Sequence, residues 1–81
     1  MREEIFQKVV SLISQNNGIA PESISLDATF DELGMDSLDG LALISDLEAH
    51  YEINIPNQEA MQIRSIKETV EKLESLLAVQ Q

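Results

Sequence analysis

Leu33-Gly34-Met35-Asp36-Ser37-Leu38-Asp39 divides this chain into two textures. Before it, from Ile19 to Asp36, apolar residues recur without a period; after it, an apolar helical run reaches Tyr51. Asp36 is a strong helix N-cap, because its carboxylate accepts hydrogen bonds from the unpaired amides of a first turn. Ser37 therefore opens a helix, its hydroxyl near free backbone N–H groups and the positive end of the helix dipole, where a phosphate ester would be stabilised. Gly34 supplies a sharp change of direction that holds Ser37 out in solvent. The arrangement suits a serine that is modified rather than one that attacks.

Working outward, the helix from Ser37 to about Tyr51 has two faces. Leu43, Ile44, Leu47 and Tyr51 recur at spacings of one, three and four and form a core stripe. Leu38, Leu41 and Ser45 form a second stripe bordered by Asp39, Asp46 and Glu48. Upstream, Ile5, Phe6, Val9, Val10, Leu12 and Ile13 give a wide apolar face to a helix over Arg2–Gln15, stopped by Asn16-Asn17-Gly18. In the connection that follows, Ile19, Ile24, Leu26, Phe30 and Leu33 are placed to pin a loop across a helical core, with Thr29 or Asp27 capping a short turn. Downstream, Asn54, Pro56 and Asn57 break the chain, and Pro56–Met61 predicts a short third helix. Ser65, with Glu68 three residues on, forms a capping box for a last helix carrying Ile66, Val70, Leu73, Leu76 and Leu77, which should fray from Val79. The expectation is an all-α, small four-helix bundle: three longer helices, a short third one, and a long loop between the first two, in a single domain over residues 1–81.

Charge narrows the function. Fifteen acids against five Lys/Arg give a net charge of −10, and no Lys or Arg lies between Val9 and Ile63. Such a surface repels nucleic acid and anionic membranes and attracts partners with basic patches. No apolar run approaches the roughly 20 residues of a membrane span, and Met1-Arg2-Glu3-Glu4 is not a signal-peptide start, which favours a cytoplasmic protein. The absence of cysteine excludes a disulfide framework, and any reactive sulfur must come from an added group. Asp27, Asp31, Glu32, Asp36 and Asp39 do not match the spacing of a calcium loop, so no dedicated metal site is expected. Ser37 has no base in its vicinity, since the one histidine, His50, stands thirteen residues away.

Asp36-Ser37-Leu38-Asp39, the following Leu41-x-Leu43-Ile44-x-x-Leu47-Glu48 and then Ile53-x-Ile55-Pro56 resemble the acyl carrier proteins from about Ile5 to Leu77. The resemblance implies a carrier and not an enzyme. Ser37 would bear 4′-phosphopantetheine, attached from coenzyme A by a phosphopantetheinyl transferase, with Asp36, Leu38 and Asp39 as the recognition motif. The thiol of the arm would hold acyl groups as thioesters for basic-patched acyl-transfer, synthase or ligase enzymes of fatty acid, polyketide or related biosynthesis, the carrier itself remaining a monomer. Leu38, Asp39, Leu41, Ser45, Asp46 and Glu48 would form the docking face. Leu47, Ala60 and Ile63 are candidates for lining an acyl-chain cleft, or equally for plain core. A peptidyl or aryl carrier and an unmodified acidic interaction module remain alternatives. The chain departs from the family pattern at Gly40, Ala42, Ser45 and Met61, which suggests a smaller, less acidic docking face. Because glycine inside a helix costs about 1 kcal/mol relative to alanine, Gly40 further suggests a partner that approaches the helix backbone closely.

Overall fold

The structure, a computed structural model, describes residues 2–80. Four α-helices are present: α1 (Arg2–Asn17), α2 (Ser37–Tyr51), α3 (Asn57–Ala60) and α4 (Ile66–Gln80). The expected all-α bundle with one short helix is therefore what forms. α1 packs against both α2 and α4. The apolar periods define the core: Ile5, Val9 and Ile13 from α1 meet Leu43 and Leu47 from α2 and Ile66, Val70 and Leu73 from α4, all at most 2% exposed. The helical conformation of α4 continues past Val79 to Gln80. Among the described residues, no helix is long and apolar enough to cross a membrane.

Short-range chemistry sets the helix ends. α1 stops at Gly18, whose φ of 68° lies in the left-handed region that glycine occupies without strain. α2 ends instead at Glu52, which takes the left-handed conformation at φ 55°. The Glu48 carboxylate then accepts the Ile55 amide at 2.6 Å, clamping the exit from α2. At the start of α4, Ser65 Oγ accepts the Glu68 amide, and the Glu68 carboxylate accepts the amide of Arg64, one residue before the expected partner. Arg2, at the start of α1, ties that helix to the middle of α4, its guanidinium donating to Glu74 at 2.7 Å. That hydrogen bond holds the Glu74 carboxyl below its ordinary range, so its contribution is present above the ordinary carboxylate pKa and lost as pH falls through the lowered value.

The long connection between α1 and α2 is built rather than loose. A 3-10 turn at Pro21–Ser23 starts it, and Ile24 and Phe30 are buried. Thr29, not Asp27, caps the turn that follows: its Oγ1 accepts the Glu32 amide at 3.1 Å and the Glu32 carboxylate accepts the Thr29 amide at 2.8 Å. Thr29 also forms an isolated antiparallel bridge with Ser65. Around it, Phe30 N–H donates to the Arg64 carbonyl at 2.9 Å and Ile66 N–H donates to the Ala28 carbonyl at 3.1 Å.

This stitch presses Phe30 against α2 and explains Gly40. A Cβ at position 40 would lie 3.3 Å from Cδ2 and Cε2 of the Phe30 ring, tighter than ordinary van der Waals contact. Gly40 is itself buried, so the absent side chain is filled by the protein's own loop and not left open to an approaching partner. We expect Gly40→Ala to be close to neutral, its helix-propensity gain of about 1 kcal/mol offset by displacement of the ring. In a Phe30→Leu background the same change should stabilise by most of that amount. Urea denaturation of the four proteins checks this, and equal gains in both backgrounds would refute the contact.

Candidate functional site

Ser37 is the first residue of α2, exposed, and fixed by its neighbours on both sides. Asp36 is the N-cap: its carboxylate accepts the Asp39 amide at 2.9 Å, while the Asp39 carboxylate accepts the Asp36 amide at 3.1 Å. Both acids of the motif are thus committed to a reciprocal capping box. Gly34, at φ 76°, supplies the expected reversal into this start, and the Met35 amide returns to the Phe30 carbonyl at 2.9 Å. The turn buries Met35 and leaves Asp36 and Ser37 at the surface.

Ser37 opens on a cleft of about 370 Å³ between α2, α3 and the stitched loop. Its apolar walls are Phe30, Met35, Gly40, Leu41, Ala60 and Ile63, with Met61 at the rim. Thr29, Asp31, Asp36, Ser37 and Arg64 provide the polar lining. Of the three residues expected from the sequence to line a cleft, Ala60 and Ile63 do so. Leu47 does not: it is fully buried in the bundle core. One turn beyond Leu43, it shares that residue's buried stripe of α2 and belongs to the core cluster. Phe30, Met35 and Arg64 were not expected. A signal for Phe30 did exist in Gly40, since a glycine in a helix interior marks a close approach by something.

The surface around the cleft is apolar within an acidic field. Leu38 is 74% exposed, Met61 65% and Leu41 36%. Ser45 is exposed on the same side of α2. Asp46 reaches across to α1, accepting a hydrogen bond from the Asn16 side chain at 2.8 Å. Glu48 is held to Ile55, so it contributes charge to this face but not a free carboxylate. Among the described residues no histidine faces Ser37: His50 stands at the opposite end of α2, edge-on to Tyr51 with ring centroids 4.7 Å apart. Burial, then the nearby charge of Glu4, pushes the Tyr51 hydroxyl above its ordinary pKa.

Residues 7–73 match a family model described as the phosphopantetheine attachment site. The chain belongs to the phosphopantetheine-bearing acyl carrier proteins. An acyl carrier protein of Amoebophilus asiaticus is 42% identical over 76 residues, covering 93% of this chain and 95% of that protein. One from Guillardia theta is 35% identical over 77 residues, covering 94% of this chain and 95% of the relative. The crystal structure of an acyl carrier protein from Thermotoga maritima superposes with a TM-score of 0.90 at 28% identity, covering 99% of this chain and 94% of that one. The protein is therefore a carrier and not a catalyst, and its cofactor is 4′-phosphopantetheine.

The start of α2 fits that group. An exposed hydroxyl stands at the N-terminus of a long helix, beside a cleft with apolar walls and a polar mouth. The capping box should govern how firmly the hydroxyl is presented. Asp36→Ala should cost about 1 kcal/mol in urea denaturation, whereas Asp36→Asn, which keeps an acceptor oxygen, should retain most of the stability. Equal losses in the two variants would show that the charge, and not the cap, is what matters.

Proposed function

We propose that Ser37 is the residue that carries the phosphopantetheine arm, and that the cleft beside it receives the acyl group carried on the arm's thiol. The observation that supports this most directly is the coincidence of three features at one point: an exposed serine at a capped helix start, a cleft opening on it, and an apolar rim. Coenzyme A supplies the arm: a phosphopantetheinyl transferase joins the arm's phosphate to the Ser37 oxygen as the pyrophosphate bond of coenzyme A breaks, and adenosine 3′,5′-bisphosphate leaves. The carrier offers the hydroxyl, and the transferase supplies the active site in which it loses its proton. Asp36, Leu38 and Asp39 form the motif that the transferase reads, with the two acids holding the helix start in shape.

Once loaded, the thioester travels between enzymes. Tethering raises its effective concentration at each docked active site, which lets a small carrier serve several enzymes in turn. Synthase and transferase enzymes with basic patches are the fitting partners, because ten acids lie between Val9 and Ile63 without a Lys or Arg. Leu38, Leu41 and Ser45 form the contact stripe, with Asp39, Asp46 and Glu48 supplying the field around it; Met61 extends the apolar area onto α3. Ala60 and Ile63 belong to the wall that shelters the cargo, where each Å² of apolar surface removed from water stabilises by roughly 25 cal/mol. The acyl carrier of fatty acid, polyketide or related biosynthesis is the reading that these features support together.

Incubation with coenzyme A and a broad-specificity transferase, followed by intact-mass measurement, should show one added phosphopantetheine. Ser37→Ala should abolish the mass increase and leave helical circular dichroism nearly unchanged. A persistent increase in the variant would move the attachment to another residue.

A further inference from the structure

The polar mouth of the Ser37 cleft contains a cation. Among the described residues lining it, Arg64 is the sole Lys or Arg. Its backbone is pinned at both ends, the carbonyl accepting from Phe30 at 2.9 Å and the amide donating to Glu68 at 3.0 Å. Its guanidinium has no hydrogen-bond or ion-pair partner among the described residues, although Asp31 and Asp36 line the same cleft. Arg2 is engaged by Glu74 and Lys72 by Glu59, while Lys8 borders a separate hollow beside His50 and Tyr51. A basic side chain thus lines the same cleft as Ser37, in a protein of net charge −10, with no partner among the described residues.

The arm creates a need for it. Attachment at a serine makes a phosphodiester, a singly negative group that would stand beside Asp36 and near Asp31. The helix start offers that group limited help. The Asp36 amide already donates to the Asp39 carboxylate and the Asp39 amide to the Asp36 carboxylate, so two of the four donors at the helix start are taken and only the Ser37 and Leu38 amides are left. A guanidinium presents a planar fork of donors suited to phosphate oxygens.

We propose that Arg64 binds the phosphodiester of the arm attached at Ser37, directing the first bonds of the arm along the cleft toward α3 instead of outward into solvent. The proposal rests on Ser37 being the attachment residue. Arg64 is here a positioning residue and makes no bond to the cargo.

The test uses the apo and phosphopantetheinylated forms of the wild type, Arg64→Gln and Arg64→Lys, each verified by intact mass. In the wild type, adding the arm should shift the Arg64 Nε–H resonance, and the phosphorus resonance of the holo form should differ from that of Arg64→Gln. The three apo forms should have similar folding equilibrium constants. The holo form of Arg64→Gln should lose roughly two- to fivefold relative to holo wild type, with Arg64→Lys recovering part of the loss and salt diminishing it. Failure of wild-type Ser37 to gain the mass overturns the attachment and this proposal together. A normal mass gain with an unmoved Arg64 resonance, or an equal loss in apo and holo forms, overturns this proposal alone. Holo protein loaded with acetyl or malonyl groups separates the other anion: an Arg64 shift that appears only with malonyl would assign the guanidinium to a cargo carboxylate and overturn the phosphodiester role.

Discussion

Two backbone hydrogen bonds, from Phe30 N–H to the Arg64 carbonyl and from Ile66 N–H to the Ala28 carbonyl, tie the loop before α2 to the start of α4. The walls of the cleft beside Ser37 depend on that tie. It seats the Phe30 ring against Gly40, and it fixes the backbone from which Arg64 reaches the mouth of the cleft. It also closes the chain around α2 and α3, so the helix that begins with Ser37 gains a wall on its exposed side. The connection that joins α1 to α2 is thereby as much a part of the carrier as the helices are. Its ordering is offset by buried apolar contacts, Ile24 and Phe30 foremost, and by backbone pairing that leaves fewer orphan groups.

The chemistry at Ser37 follows from what surrounds the hydroxyl and from what is missing there. Asp36 and Asp39, read from the sequence as cap and recognition motif, are each occupied with the other's backbone amide. They shape the helix start rather than act on a substrate. With His50 at the far end of the same helix, the start of α2 presents a hydroxyl with no histidine beside it among the described residues. That arrangement suits a protein whose chemistry is done by others. Leu38, Leu41 and Met61 form an exposed apolar rim inside an acidic field, which is the surface proposed above for basic-patched partners.

Gly40 shows how one residue changes meaning between sequence and structure. A glycine in the first turns of a helix weakens it, and the missing side chain reads as room for a partner's backbone. The room is taken by Phe30. A larger residue at this position would have to displace the ring, which stands in the wall of the cleft itself. Cleft shape and helix stability are therefore coupled at this contact, and the departure from the family pattern at position 40 acts inside the protein.

The sequence by itself determined the helices, their stops and the place of the serine, because those depend on forces that act within a few residues. Apolar periods mark the faces of α1, α2 and α4, Asp36 and Ser65 supply caps, and Gly18 and Gly34 permit the reversals. Charge sign, the lack of cysteine and the motif around Ser37 were equally plain. Only the tertiary structure decided which residues meet across the cleft. Phe30 and Arg64 are brought together from the far sides of two helices by pairing that leaves no local period, and Leu47 and Ala60, both apolar and both buried, are separated into core and cleft wall by the direction each faces. Glu48 likewise reads as a surface acid until the backbone turns at Glu52 and brings the Ile55 amide to it. Such roles are set by where the chain closes on itself, a long-range geometry to which capping and periodicity are blind.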